Sequence, residues 1–335
     1  MAAVTPSRIE SVFRGLGYSI RSQLGRMAFL RQLKYRWMYP GLSLDATANV
    51  TVAGKLQYGH GSVAGEGCNL LVPAAASLTI GAGCYFGRYV ELGPGGAISV
   101  GDCTSIQDRS ILVGDVSLGR YCVLSLNVLL TSGRHYFDRW PHILIRDQDV
   151  RVASDPKLNL VHSQPICVEE DCWLGMNSVI MPGVTIGRGC VVGSNAVVTH
   201  DLPPYSVAVG APARIVRRRL EFSPPSSLNW SDLEHLPYFY RGFELADEER
   251  ERNQSMGGHV ARRGFALWPA GISESTVVIR ICATGSGGSS LAYQGRTIGV
   301  AEQWEELRVP RGDAKAEMTF LLEGSPIVIS QARTE

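Results

Sequence analysis

Residues 168–198 read VEEDCWLGMNSVIMPGVTIGRGCVVGSNAVV, and their aliphatic residues keep a strict spacing of six: Val168, Leu174, Ile180, Ile186, Val192 and Val198. An α-helix repeats near 3.6 residues and a strand near 2, so a period of six fits neither element alone. It fits a short strand and a corner, repeated, with one inward anchor on each flat face. Three such hexads close one triangular coil of a parallel β-helix. Working outward, the period runs through Ile80, Phe86, Leu92 and Ile98, slips by two residues, and resumes as Val100, Ile106, Leu112, Leu118, Leu124 and Leu130. Further back the same phase extends through smaller residues at Val50, Leu56, Ser62, Cys68 and Ala74.

The composition agrees with this plan. Gly makes up 37 of the 335 residues, more than the usual ~7%. It follows an inward aliphatic in Ile80-Gly81, Val100-Gly101, Leu118-Gly119, Leu174-Gly175, Ile186-Gly187 and Val192-Gly193. A corner needs either positive φ or room for close approach, and Gly supplies both. Cys84, Cys122, Cys172 and Cys190 each stand four residues after an inward aliphatic. They are expected to be small buried corner residues, since the eight Cys form no CxxC pair or other metal-like spacing. With 45% apolar and 19% charged residues and a net charge of +1, the chain is neither disordered, nor collagen-like, nor a globally basic nucleic-acid binder. No apolar run approaches the ~18–20 residues of a membrane span, and the N-terminus lacks the marks of a secretory signal. A cytoplasmic protein is the expectation.

The run Trp173-Leu174-Gly175-Met176, then Ile180-Met181-Pro182-Gly183-Val184-Thr185-Ile186-Gly187, continues through Val192-Gly193-Ser194-Asn195-Ala196-Val197-Val198-Thr199-His200-Asp201-Leu202-Pro203-Pro204 to Val209-Gly210-Ala211-Pro212-Ala213-Arg214-Ile215-Val216-Arg217. It resembles the hexapeptide-repeat acyltransferases, above all the galactoside and maltose O-acetyltransferase branch with its polysaccharide-biosynthesis relatives. The resemblance spans about residues 46–220. It implies a left-handed parallel β-helix, a homotrimer, acetyl-CoA as acyl donor, and no metal.

The period is interrupted between Leu130 and Val168, by Thr131-Ser132-Gly133-Arg134-His135-Tyr136 and the segment Arg139-Trp140-Pro141-His142 among others. A solenoid tolerates such insertions as ejected loops, which often carry function. In the resembling family a His on this loop abstracts the acceptor's hydroxyl proton, and the matching position is His135. His142 and His162 do not match. The chemistry suits imidazole: a sugar hydroxyl needs a base as it attacks the thioester, and neutral imidazole can take that proton and return it to the leaving thiolate. Backbone N–H groups at a Gly-rich corner would hold the oxyanion. Asp138 and Asp155 are the sequence-near carboxylates that could orient the base. The resemblance also places Met176, Ser194, Thr199 and His200 along the CoA groove, and Arg214 and Arg217 near the nucleotide phosphates, where guanidinium gives charge-assisted contacts. Met176 and His200 depart from the commoner small residue and Lys. On the acceptor side it gives Gln107, in place of the usual Asn, and Asp115. Tyr136 and Trp140 could stack on a pyranose or pin the loop, and Trp173 could frame the acceptor pocket or a subunit junction.

Four regions follow. Residues 1–45 form a basic helical segment, with Arg8, Arg14, Arg21, Arg26, Arg31, Lys34 and Arg36 against Glu10. It could lie peripherally on an anionic membrane or cap the solenoid's open end. Residues 46–220 form the β-helix with ejected loop 131–165, and 221–260 are read as a linker. Residues 261–335 read as a small antiparallel β-sandwich, with strands around 276–281, 307–309, 318–322 and 327–329. It could bind glycan through Trp268, Tyr293 or Trp304, or serve assembly. The functional expectation is an O-acetyltransferase acting on a saccharide of surface polysaccharide or glycolipid biosynthesis. An N-acyltransferase on an amino-sugar nucleotide and a non-catalytic hexapeptide scaffold stay open. A γ-type carbonic anhydrase does not, because His135 and His142 lack the H-x₄-H pair of that zinc site.

Overall fold

Three ladders of parallel strands carry the anchors read from the sequence. In this computed structural model, which describes residues 28–155, 163–221, 223–239, 241–243, 257–269, 275–285, 288–311 and 318–335, the chain divides into units Met1–Glu221 and Phe222–Glu335. In the first unit Phe86, Ile106, Leu124, Leu174 and Val192 stack in register on one face. Leu92, Leu112, Leu130, Ile180 and Val198 stack on the second. Ile80, Val100, Leu118, Val168 and Ile186 stack on the third. All of these anchors are buried, and each contributes about 1.5–3 kcal/mol by leaving water.

The backward extension of the period is corrected by two residues. Ala74 is exposed, and the inward positions are Ala64, Leu70 and Ala76. Between positions 62 and 70, residues of both phases are buried, Ser62 and Cys68 as well as Ala64 and Leu70, so burial-prone residues stand at either phase and hide the slip. Ser62 is buried for a different reason: its hydroxyl donates to Gly81 O at 2.7 Å across a corner. The corner cysteines do the same. Sγ of Cys84, Cys122, Cys172 and Cys190 donates to Gly101 O, Glu169 O, Gly187 O and Pro203 O at 3.0–3.2 Å. Burial pushes the Cys190 thiol up to about 11, so it stays protonated and a donor at neutral pH. The glycines after the anchors are explained by close approach. A Cβ on Gly175 would lie 2.6 Å from Ser194 N of the next coil. Positive φ falls instead on corner residues such as Tyr121, Asp171, Asn177 and Asn195.

Helix α1 (28–38) closes the first coil. The Tyr35 hydroxyl donates to Ala48 O at 2.7 Å and the Gln32 amide to Leu44 O at 3.1 Å. These bonds lay this part of the basic segment against the first coil, while Arg8, Arg14, Arg21 and Arg26 lie outside the described residues. The solenoid begins earlier than expected, at strand Leu42–Leu44, which precedes the first readable hexad.

The second unit is an antiparallel sheet of nine described strands. Strand His259–Leu267 pairs with Ile327–Thr334 through its first residues and with Met318–Gly324 through its last. The sheet thereby folds over one core that includes Phe265, Ile279, Leu291, Phe320 and Ile329. The expected linker 221–260 is corrected: Ser227–Asn229 and Arg241–Phe243 are strands of this sheet, and Leu228, Phe239 and Phe243 belong to its core. Both strands are three residues long, too short for an alternation to be legible.

Candidate active site

The loop leaves the solenoid after strand Leu129–Thr131 and returns at Ile166–Val168. Its neck is clasped. Ser132 Oγ lies 2.6 Å from Ser163 Oγ, Gln164 N donates to Ser132 O at 2.9 Å, and the Ser163 hydroxyl donates to Asp115 Oδ2. Asp115 Oδ1 accepts the N–H groups of Gly96 and Ala97 at 3.0 and 2.8 Å. The Ser163 bond above all, helped by these N–H groups against some desolvation, holds the Asp115 carboxyl below its ordinary value. Asp115 thus supports the loop's root, and its oxygens are engaged there.

Beyond the neck the chain forms helix α2 (Ile145–Ser154), which braces the segment ahead of it. Gln148 is fully buried; its Nε2 donates to Phe137 O and Ile143 O at 3.2 and 3.1 Å, and its Oε1 accepts Trp140 N–H at 3.2 Å. The next residue, Asp149, faces the predicted base. Its Oδ2 is 2.6 Å from His135 Nδ1, and its Oδ1 accepts the Tyr136 N–H at 2.9 Å. The carboxylate that meets His135 is therefore Asp149, in place of the sequence-near Asp138 and Asp155. No linear spacing points to it, because helix α2 decides which acid turns back onto His135. The His135 side chain is 81% exposed, so its outer nitrogen is open to a substrate. A carboxylate at Nδ1 fixes the proton there and leaves Nε2 as the lone-pair nitrogen. Tyr136 is buried, with the Arg134 guanidinium 5.2 Å from its ring centroid. Its ring pins the loop. Trp140 is likewise covered by Arg151 at 4.4 Å.

The other named residues fall on successive coils. Gln107, Ser125, Gly175 and Gly193 occupy the same corner on four consecutive rungs, which are ~4.8 Å apart. Met176 and Ser194 follow the last two and are exposed. Gln107 Nε2 donates to Ser105 Oγ at 2.8 Å, and Trp173, half exposed, donates from Nε1 to Ser125 Oγ at 3.1 Å. An amide ladder, Asn127 to Asn177 to Asn195 at 3.1 and 3.0 Å, fixes this edge. Thr199 and His200 sit at the next corner, their side chains 2.8 Å apart. That corner lies two rungs from Thr131 and Ser132, where the His135 loop departs. Arg214 and Arg217 are on the exposed strand Arg214–Arg218, antiparallel to Ser206–Val209. Among the described residues Arg214, Arg217 and Arg218 have no carboxylate partner. Nor is any group of three or more His, Cys, Asp or Glu placed to hold a metal among them.

Residues 168–200 match the family model of the bacterial transferase hexapeptide (six repeats). A Schizosaccharomyces pombe protein that carries an acetyltransferase name is 50% identical over 106 residues, 32% of this chain and 44% of that relative. A Staphylococcus aureus protein named in the same way is 45% identical over 122 residues, 34% of this chain and 61% of that one. Among solved structures, a maltose O-acetyltransferase from Clostridium difficile is similar at 28% identity with a TM-score of 0.31, over 37% of this chain and 60% of that chain. The chain spans about half the length of the curated relatives it matches.

Proposed function

We propose that this hexapeptide-repeat chain is an acetyl-CoA-dependent O-acetyltransferase that acts on a saccharide hydroxyl, with His135 as general base. The observation that carries the reading is the His135–Asp149 pair on an exposed loop rooted in the solenoid. His135 Nε2 takes the proton of the acceptor hydroxyl as its oxygen attacks, and Asp149 stabilises the imidazolium that forms. The same nitrogen then delivers the proton to the departing sulfur. Acetyl-CoA supplies the acetyl thioester: its C–S bond breaks, an ester C–O bond forms, and the hydroxyl proton ends on the CoA thiol. The base returns neutral, so no acyl-enzyme is needed.

The residues fit such a donor. Met176, Ser194, Thr199 and His200 line two adjoining corners of the solenoid, and Gly175 and Gly193 add no side chain at the first of them. Arg214 and Arg217 offer guanidinium groups, uncommitted to carboxylates, to the nucleotide phosphates. On the acceptor side Gln107 lies two rungs from Met176, ~10 Å along the same corner, and Trp173 stands between them. Assembly as a homotrimer is supported by an outward ladder in which exposed Val63 and Tyr85, then Ser105, then exposed Val123 and Trp173 follow one another along one face. An apolar stripe of that kind is covered in a subunit interface. Peripheral contact with an anionic membrane, fitting an acceptor on a glycolipid or nascent surface polysaccharide, is supported by α1. Phe29, Leu30, Leu33 and Trp37 are exposed beside Arg36, and no helix among the described residues is long and apolar enough to cross a membrane.

The test is thiol release from acetyl-CoA with a panel of sugars, nucleotide sugars and oligosaccharides. Wild type turns over with at least one acceptor, and His135→Ala loses ~10²–10⁴-fold. Equal turnover by the two proteins sinks the mechanism. Lability of the product to hydroxylamine separates an O-ester from an N-acyl product.

A further inference from the structure

The second unit carries a cleft of its own. It encloses about 440 Å³ and is lined by Asn229, Trp230, Arg280, Trp304, Ser330 and Gln331, among others, all within residues 222–335. We propose that this cleft binds a saccharide. Sheet register explains how its polar groups meet. Asn229 pairs with Gln331, and Gln331 with Arg280, so two amides and a guanidinium stand in one row across three strands. The adjacent row, Leu228, Ala332 and Ile279, is buried in the core. Alternation turns the amide row to the opposite face of the sheet.

A bulge shapes the wall behind this row. The ladder between Thr276–Ala283 and Ile327–Thr334 shifts between Arg280 and Ile281, and Ser330 has no opposite residue there. Bulges re-aim side chains and recur beside functional sites. Ser330 is 7% exposed, and its hydroxyl has no hydrogen-bond partner among the described residues although it borders the cleft. Its oxygen is itself covered, so Ser330 backs the cleft wall, and the groups open to a ligand are those of the amide and guanidinium row and of Trp304.

The remaining walls select the class. Trp304 is 38% exposed, with the Arg280 guanidinium 5.2 Å from its ring centroid, which fixes the indole. An indole meets the C–H face of a pyranose, while planar amides and a guanidinium bridge neighbouring hydroxyls. Of the aromatic residues read from the sequence as glycan contacts, Tyr293 is excluded: it is buried, stacked on Phe320, and its hydroxyl donates to Pro310 O at 2.9 Å. Trp268 does not line the cleft, whereas Trp304 does, joined by Trp230. The cleft takes the same class of molecule as the acceptor proposed for His135, yet its test does not depend on acetyl transfer.

Calorimetric titration of the full chain with maltohexaose, cellohexaose and hexagalacturonate is the experiment. Binding of at least one probe at ~1 mM or tighter is expected, with Trp304→Ala weakening it ~10-fold or more. Arg280→Met, a substitution at an outward position, keeps the test alive if Trp304→Ala fails to fold. His135→Ala should bind the probe as wild type does. No heat with any of the three probes overturns the proposal, as does wild-type binding by both Trp304→Ala and Arg280→Met. Binding lost in His135→Ala but kept in Trp304→Ala places the saccharide at the first site and overturns it equally.

Discussion

Three corners of the solenoid occupy the same position on its second face and meet different fates. After Ile180 and after Val198 the chain turns within a few residues and starts the next strand. After Leu130 it leaves for the His135 loop before resuming at Ile166. The backbone of the repeated corners is fixed by what stacks above and below it, so the course of the chain there answers to packing. The loop has no copy on the next rung. It is held by its own clasp and by Gln148 inside it, which leaves His135 free to answer to chemistry. The comparison teaches that stability and reactivity are separated in this fold by rung and loop.

The largest effect should come from the loop. His135→Ala should lower turnover by ~10²–10⁴-fold while leaving the thermal unfolding of the protein unchanged, because the exposed imidazole packs against nothing in the core. Parallel measurement of thiol release and melting temperature decides it. A fall in melting temperature matching the loss of turnover would erase the distinction between the two regions.

The converse substitution belongs on a rung. Leu174 is fully buried between Leu124 and Val192, and Leu174→Ala should cost about 2–5 kcal/mol of stability, read by denaturant unfolding. The far-UV spectrum at low denaturant should remain that of a β protein. A cost near zero would mean that the stacked anchors do not carry the solenoid.

Asp149→Asn sharpens the loop side. An amide can present its NH₂ to Nδ1 and draw the proton to Nε2, the tautomer that cannot accept from a hydroxyl. Because His135 is largely exposed, water supplies part of what the carboxylate gave. A decrease of about 10–10²-fold in kcat is expected, with KM for the acceptor little changed. If KM alone rises, Asp149 positions the loop for binding and not the base for proton transfer.

The same contrast explains what could be read from sequence. Large aliphatics at every sixth position announce rungs, since each must bury itself against an equivalent residue about one coil away. Between Ser62 and Leu70 both phases hold buried residues, so the two-residue slip is not legible there. His135 was legible because a family motif places it, but Asp149 was not: its relation to His135 depends on how α2 turns, and no repeat repeats it. In the second unit the long strands showed by composition, whereas Ser227–Asn229 finds its partner at Gln331–Arg333, a pairing no local pattern encodes. The cleft residues Asn229, Arg280 and Gln331 come together only through that register.

The smallest effect tests the clasp between the two regions. Asp115 has a depressed carboxyl pKa, chiefly through the Ser163 hydroxyl. A group whose folded pKa lies below its unfolded one stabilises the fold above the unfolded value, near ~3.9 for Asp, and loses that contribution as pH falls through the folded value. Wild type should therefore melt slightly above Asp115→Asn at pH 6, with the gap closing as the solution is taken below pH ~4. Differencing the two proteins at each pH removes the other carboxylates, which titrate in both. A gap that stays constant with pH would show that the ionised oxygen is not what holds Ser163, and the neck would then rest on the Ser132–Ser163 contact and the backbone bond from Gln164. In that case loop and rung would be joined without help from the ionised Asp115.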